Sequence, residues 1–273
     1  MRVVNIRSSG TKASVELSFG QGGSGPAVLL LHGLGGSRND WALQLPPLLR
    51  HFRVIAVDLR GHGNSPKPAG PYRMAAMADD VATLLRRINA WPAQVVGLSL
   101  GGAVAQQLAL DQRTMVRSLV LVNTASRFVV DSWRFRLTGL QRLAAVYRLD
   151  MSSVAQSVAQ RLFPFEEQSA LRRETASRLA ANDPAAYRAC LWAVARFDVR
   201  SELSRIRCPV LVVAGEKDSV LPLKPKQQLA CGVANGYLAI IPKSGHATPI
   251  DQATRFNDVL LGFLKHVDDA DGA

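Results

Sequence analysis

The chain has 273 residues, 48% of them hydrophobic, with 33 Lys or Arg against 21 Asp or Glu and a formal net charge of +12. That length and apolar content suit one large α/β domain carrying an insertion, and no stretch approaches the roughly 20 consecutive apolar residues of a spanning helix, so no membrane span is expected. The positive charge is dispersed, mostly Arg, and without a helix-turn-helix, zinc-knuckle or aromatic RNA-binding pattern, so it is read as surface charge and no nucleic-acid partner is expected.

At the start, MRVVNIRSSGTK breaks its aliphatics with Asn5 and Arg7 and lacks the continuous apolar segment of a secretory signal, which points to a cytoplasmic location. VVNIR and ASVELSF alternate well enough to predict an antiparallel hairpin at a sheet edge. Then come short aliphatic runs, each followed by Gly-rich or polar turns: AVLLLH at 27–32, FRVIAVD at 52–58, AQVVGLS at 93–99, VRSLVLVN at 116–123 and CPVLVVAGEKD at 208–218. Runs this apolar predict strands buried on both faces, as in a parallel sheet. Between them, Met77, Val81, Leu84, Leu85 and Ile88 repeat with helical spacing, and Val104, Ala105, Leu108 and Ala109 mark a second stripe. The alternation predicts right-handed βαβ units. From about Ala125 to Arg205 the strand pattern stops and helical segments rich in Arg, Ala and Leu take over, broken by Pro164 and Pro184. The expected division is therefore a core of 1–124 and 206–273 with a helical insertion at 125–205 after the sixth strand. The three cysteines, Cys190, Cys208 and Cys231, are odd in number and in no metal-ligand spacing, so neither a disulfide framework nor a metal site is expected.

Gly97-Leu98-Ser99-Leu100-Gly101 matches G-x-S-x-G between a predicted strand and a predicted helix. A sharp strand-to-helix turn forces the serine into an unusual backbone conformation, and glycines remove the collisions its neighbours would suffer. The hydroxyl is then presented at a helix N-terminus, where backbone N–H groups favour developing negative charge. Such a hydroxyl needs a base and the base an orienting acid. Of five histidines, His246 follows the aliphatic run YLAII and is the expected base; His32 and His62 sit in glycine-rich loops, and His51 and His266 read as surface. Asp218 follows VLVVAGEK and is the expected acid. The competing position, at the end of VRSLVLVN, holds Asn123, which supplies no carboxylate, and Asp58 opens DLRGHG, where a loop-organising role is expected. The order Ser99, Asp218, His246 is that of hydrolases with a nucleophile elbow. An oxyanion hole completes the set, with the amide of Leu100 after the serine and that of Leu34 in HGLGGS.

Together HGLGGS with Trp41, DLRGHGNS, VVGLSLGGAVAQQLAL, LVLVNTA, VLVVAGEKDSVLP and SGH resemble the α/β-hydrolase fold family. The resemblance implies a mostly parallel central sheet flanked by helices, with the insertion as a helical cap over the site. Within that family, DLRGHGNS, GPY, GLSLGG, NTASRF and DVRSEL are most similar to 3-oxoadipate enol-lactonases and related carboxylesterases. HATPIDQ departs from the Leu, Met or Ala followed by a carboxylate-bearing helix start of those lactonases, which bears on the leaving-group side of the pocket. The insertion carries 13 Arg, no Lys and 8 acidic residues. The chain also resembles pimeloyl-acyl-carrier-protein methyl ester esterases, and an acidic carrier protein would dock on such a surface through Arg–carboxylate or Arg–phosphate pairs.

The expected activity is hydrolysis of a small carboxylic ester or lactone through an acyl-enzyme, with no organic cofactor. Phe128, Trp133, Phe135, Leu140, Trp192 and Phe197 are candidate pocket residues. A serine at the elbow sets aside the dehalogenases and epoxide hydrolases of the fold, which use aspartate there. Carbon–carbon bond hydrolases, perhydrolases and a ligand-binding signalling protein that keeps the triad remain as alternatives.

Overall fold

The computed structural model describes residues 2–4, 15–128 and 151–272. Its strands are β1 (Arg2–Val4), β2 (Phe19–Gly22), β3 (Ala27–Leu31), β4 (Arg53–Val57), β5 (Ala93–Leu98), β6 (Val116–Val122), β7 (Val210–Gly215) and β8 (Gly236–Ile241), in one sheet ordered β1-β2-β4-β3-β5-β6-β7-β8. The β1–β2 and β2–β4 pairs are antiparallel and every later pair is parallel. The helices are α1 (Leu45–Leu48), α2 (Met74–Arg87), α3 (Leu100–Asp111), α4 (Met151–Leu162), α5 (Ser169–Ala180), α6 (Pro184–Ala195), α7 (Leu223–Gly232), α8 (Thr248–Asp251) and α9 (Ala253–Gly272).

Every residue of β5 and β7 is buried, and successive side chains go to opposite faces. Leu29, Leu31, Ile55, Val57, Val95 and Val212 join Met77, Val81 and Leu85 of α2 and Val104 and Leu108 of α3 in one core layer. Val28, Leu30, Val54, Val96, Val120 and Val213 join Trp41, Phe256, Leu260 and Leu264 in the layer on the other face. The apolar repeat predicted from Met77 onward is thus the buried face of α2.

The predicted hairpin is present but its second strand is displaced. β1 pairs with Phe19–Gly22, so of the described residues of ASVELSF only Phe19 lies in the strand. The backbone N–H of Val15 donates to Asp80 Oδ1 at 2.7 Å and that of Ser18 to Ser65 Oγ at 2.8 Å. These side chains take donors that a strand ladder would have used.

Beyond β6 the chain leaves the sheet and returns at one place. Arg127 and Asp198 form an antiparallel bridge, and the Val199 N–H donates to the Ser126 carbonyl at 3.0 Å. The described helices between, α4 to α6, rest on loops at the carboxyl ends of the strands. Asn182 donates to the Gly35 carbonyl at 3.0 Å, Arg178 pairs with Asp40 at 2.9 Å, and Ser219 donates to the Arg161 carbonyl at 2.9 Å.

One buried ion pair ties the loop after β4 to α2. Arg60 reaches both oxygens of Asp80, Nε to Oδ2 at 2.5 Å and Nη2 to Oδ1 at 2.6 Å, with the carboxylate 1% exposed. Burial pushes the Asp80 pKa up against the pull of Arg60 and the Val15 N–H. Asp80→Ala leaves a buried guanidinium without its main partner and is expected to cost about 3–5 kcal/mol in urea unfolding; a loss below about 1 kcal/mol would show that the pair is dispensable.

Candidate functional site

Ser99 stands between the last residue of β5 and the first of α3 with φ +52° and ψ −110°, outside the regions that side-chain-bearing residues ordinarily occupy. The turn is held by the Ser99 N–H to the Val122 carbonyl at 2.9 Å and by Thr124 Oγ1 to the Ser99 carbonyl at 2.8 Å. It is also crowded. A Cβ on Gly97 would lie 2.4 Å from the Gly101 carbonyl oxygen, and one on Gly101 would lie 2.2 Å from that of Leu31. The glycines flanking the serine are therefore required by close approach of backbone to backbone.

Asp218 and His246 lie in the loops after β7 and β8. Asp218 Oδ2 accepts from His246 Nδ1 at 2.8 Å, and Oδ1 accepts from the N–H groups of Val220 at 2.8 Å and Leu221 at 3.0 Å. The carboxylate is 1% exposed and the imidazole 7%. Burial pushes the Asp218 carboxyl up, but His246 and then Lys226 outweigh it and hold the pKa down at about 2. An ionised carboxylate only accepts hydrogen bonds, so the proton between them belongs to Nδ1, and Nε2 is left as the acceptor nitrogen of the neutral ring.

The histidine loop has its own anchor. Asp251, at the end of α8, accepts from the Gly245 N–H at 2.6 Å and the Ser244 hydroxyl at 2.8 Å. HATPIDQ thus carries a helix-borne carboxylate after all, one that bonds back to the loop. Asn123, with φ +44°, occupies the competing acid position and serves as a clamp. Its Oδ1 accepts from the Gly215 N–H at 2.8 Å, and its Nδ2 donates to the His246 carbonyl at 2.8 Å and to Thr248 Oγ1 at 2.7 Å. It joins the ends of β6 and β7 to the histidine loop.

The other histidines are otherwise engaged. His32 is fully buried, with Nδ1 2.7 Å from the Gly33 carbonyl and Nε2 accepting the Leu59 N–H at 3.0 Å, so it bolts the HGLGGS loop to the loop after β4. Burial lowers its pKa despite Asp40, the Gly33 carbonyl and Asp58. His62 is buried beside it, its pKa lowered to about 3 by burial and by His32. His51 and His266 are exposed. Asp58 organises its loop, accepting the Arg38 N–H at 2.8 Å and the Asn64 N–H at 3.1 Å.

Gly33 lies beside the elbow, since a Cβ there would stand 3.7 Å from Ser99 Cβ. Leu34 follows it, half-buried against the core and against Met151, Val154 and Tyr187, and Leu100 is fully buried at the start of α3. Phe128 and Phe197 pack together, ring centroids 6.2 Å apart, on the α2–α3 core layer. Trp192 is half-buried under the Arg196 guanidinium, 5.1 Å from its ring centroid. Trp133, Phe135 and Leu140 lie outside the described residues. Among the described residues no cluster of His, Cys, Asp and Glu could hold a metal ion, and no helix is long and apolar enough to cross a membrane. Lys226, whose ammonium group donates to Asp218 Oδ2 at 2.6 Å, is a further residue of the site that the sequence did not disclose.

The family model of the α/β-hydrolase fold matches residues 26–253, and the chain belongs to that family. It is 38% identical over 255 residues to "Putative carbamate hydrolase RutD" of Variovorax paradoxus, covering 89% of this chain and 93% of the relative. It is 29% identical over 271 residues to 3-oxoadipate enol-lactonase 2 of Acinetobacter baylyi, covering 97% and 99%. Among solved structures, a thermophilic esterase from Thermogutta terrifontis superposes with a TM-score of 0.87 at 29% identity, covering 98% and 99%. The chain is a hydrolase of this fold.

The depressed Asp218 carboxyl has a consequence for stability. A folded pKa of about 2 against an ordinary 3.8 gives stability that is full above about pH 4 and is lost as pH falls through 2, amounting to about 2 kcal/mol. Urea unfolding of the wild type from pH 4 to 2 should show this loss, and Asp218→Asn should lack that component; equal slopes for the two would refute the assignment.

Proposed function

We propose that the protein is a serine hydrolase acting on a small carboxylic ester or lactone, with Ser99 as nucleophile, His246 as base and Asp218 as the acid that orients it. The observation that carries the reading is the buried Asp218–His246 hydrogen bond at the sheet edge where the strained serine turn also lies. In this reading Nε2 of His246 takes the Ser99 proton as Oγ attacks the carbonyl carbon, forming a tetrahedral oxyanion that the Leu34 and Leu100 amides receive. His246 then returns the proton to the departing alkoxide. Water repeats the sequence on the acyl-enzyme and releases the acid. The segment 125–205, of which α4 to α6 are described, acts as a cap over this centre, and its aromatic residues, Trp192 among them, are the source of acyl contacts.

A second reading is favoured by one finding, the 38% identity to a relative named for carbamate hydrolysis, against 29% to the enol-lactonase. The same serine chemistry serves a carbamate carbonyl, so the two readings differ in substrate and share the centre.

The test is hydrolysis of p-nitrophenyl acetate, butyrate, octanoate and decanoate, with simple carbamates and lactones beside them, by wild type and Ser99→Ala. Loss of turnover by about 10⁴-fold or more in the variant is expected, and the ratio of kcat/KM values among the three substrate classes chooses between ester, lactone and carbamate. Ester turnover undiminished in Ser99→Ala would overturn the mechanism.

A further inference from the structure

Lys226 is placed where a lysine is costly. Its side chain is 0% exposed, and it stands in the first turn of α7, where the helix dipole disfavours a cation. Two oxygens receive its ammonium group: Asp218 Oδ2 at 2.6 Å and Asn123 Oδ1 at 2.8 Å. The first is the same oxygen that accepts the His246 Nδ1–H at 2.8 Å. The second belongs to the clamp that also holds the Gly215 N–H and the His246 carbonyl.

We propose that Lys226 is a positioning residue of the hydrolytic centre which, by sharing Asp218 Oδ2 with His246, sets how far into acid the centre keeps working. The proposal rests on the Ser99–His246–Asp218 reading above.

Without a lysine, a triad carboxylate faces only the histidine, and a protonated imidazole is matched by one full negative charge. Here the carboxylate already faces the Lys226 cation, so an imidazolium must share it. The net charge of the three groups goes from zero to +1 when His246 binds a proton, which resists protonation of the free enzyme and keeps Nε2 ready to accept from Ser99. The other charged group bearing on the cluster among the described residues is Asp251 of α8, whose carboxyl feels both Asp218 and His246. It is held by Ser244 and Gly245, so its anchors do not include the residue substituted. The position of Asp218 is over-determined in the same way, since four donors surround it and removal of Lys226 leaves the Val220 and Leu221 amides and His246 in place.

The experiment is the pH profile of kcat/KM for p-nitrophenyl butyrate with wild type, Lys226→Met and Ser99→Ala, with folding checked by circular dichroism. Lys226→Met should move the acid limb up by about one pH unit, a tenfold loss below the limb. The low-field proton resonance of the His246–Asp218 hydrogen bond should persist in the variant. A lysine that only supports the fold would lower the rate by the same factor at every pH, and an unmoved limb overturns the proposal. Should the Met variant not fold, Lys226→Gln, which keeps a hydrogen-bond donor without the charge, is read by the same criterion. If neither folds, the lysine is a folding element and the proposal fails. Full turnover by Ser99→Ala would instead place the fault in the triad reading, whereas an inactive Ser99→Ala beside an unmoved limb in Lys226→Met faults the lysine proposal alone.

Discussion

The backbone of Gly101 in α3 lies against the end of β3, so close that a methyl group there would stand 2.2 Å from the Leu31 carbonyl oxygen. Much of the site's layout follows from this approach. It brings the first turn of the helix down onto the sheet, so the chain has no room for a gradual exit from β5 and must reverse within one residue, which takes φ +52° at Ser99. The same approach sets the HGLGGS loop, which continues β3, next to the serine. Strain at one residue is tolerated because the flanking strands are buried throughout and pinned on both sides by parallel neighbours.

The remaining groups reach the same place because parallel strands deliver their carboxyl ends to one edge of the sheet. The loops after β3, β5, β7 and β8 each contribute, and polar side chains between them fix their relative positions. His32 joins the loop after β3 to that after β4, while Asn123 joins the end of β6 to that of β7 and to the histidine loop. Asp251 returns a carboxylate from α8 to the turn that carries His246. The geometry of the centre thus depends on a small set of buried hydrogen bonds between loops as well as on the sheet that bears them.

The inner parallel strands were legible because each carries an aliphatic run, a pattern that arises when both faces are covered; β8 carries one too, yet Tyr237, Leu238 and Ile240 are exposed at the sheet edge. The elbow was legible because its glycines and serine answer a local steric demand written into five consecutive residues. What escaped depends on contacts between residues far apart in the chain. ASVELSF alternates like a strand, yet the amides of Val15 and Ser18 are taken by Asp80 and Ser65, and no periodicity announces that. Nothing local in LKPKQQLACG says that Lys226 and not Lys224 turns inward. Asn123 could be excluded as an acid from its chemistry, whereas its clamp role needed the ends of three strands in view. Asp251 stood in plain sight in HATPIDQ, and only the fold of the loop brings its carboxylate back to Gly245.

The two ends of the helical segment between β6 and β7 are fastened to each other by the Arg127–Asp198 bridge and the Val199-to-Ser126 hydrogen bond before either reaches the sheet. The excursion therefore leaves and rejoins the core through one joined neck, and its described part touches the core again at Asn182–Gly35, Arg178–Asp40 and Ser219–Arg161. Because the entropy of closing a loop grows only with the logarithm of its length, helices can be gained, lost or exchanged within the excursion at little cost to the strands beneath. The segment between β6 and β7 can therefore change in length or helix content while the strands beneath keep their register.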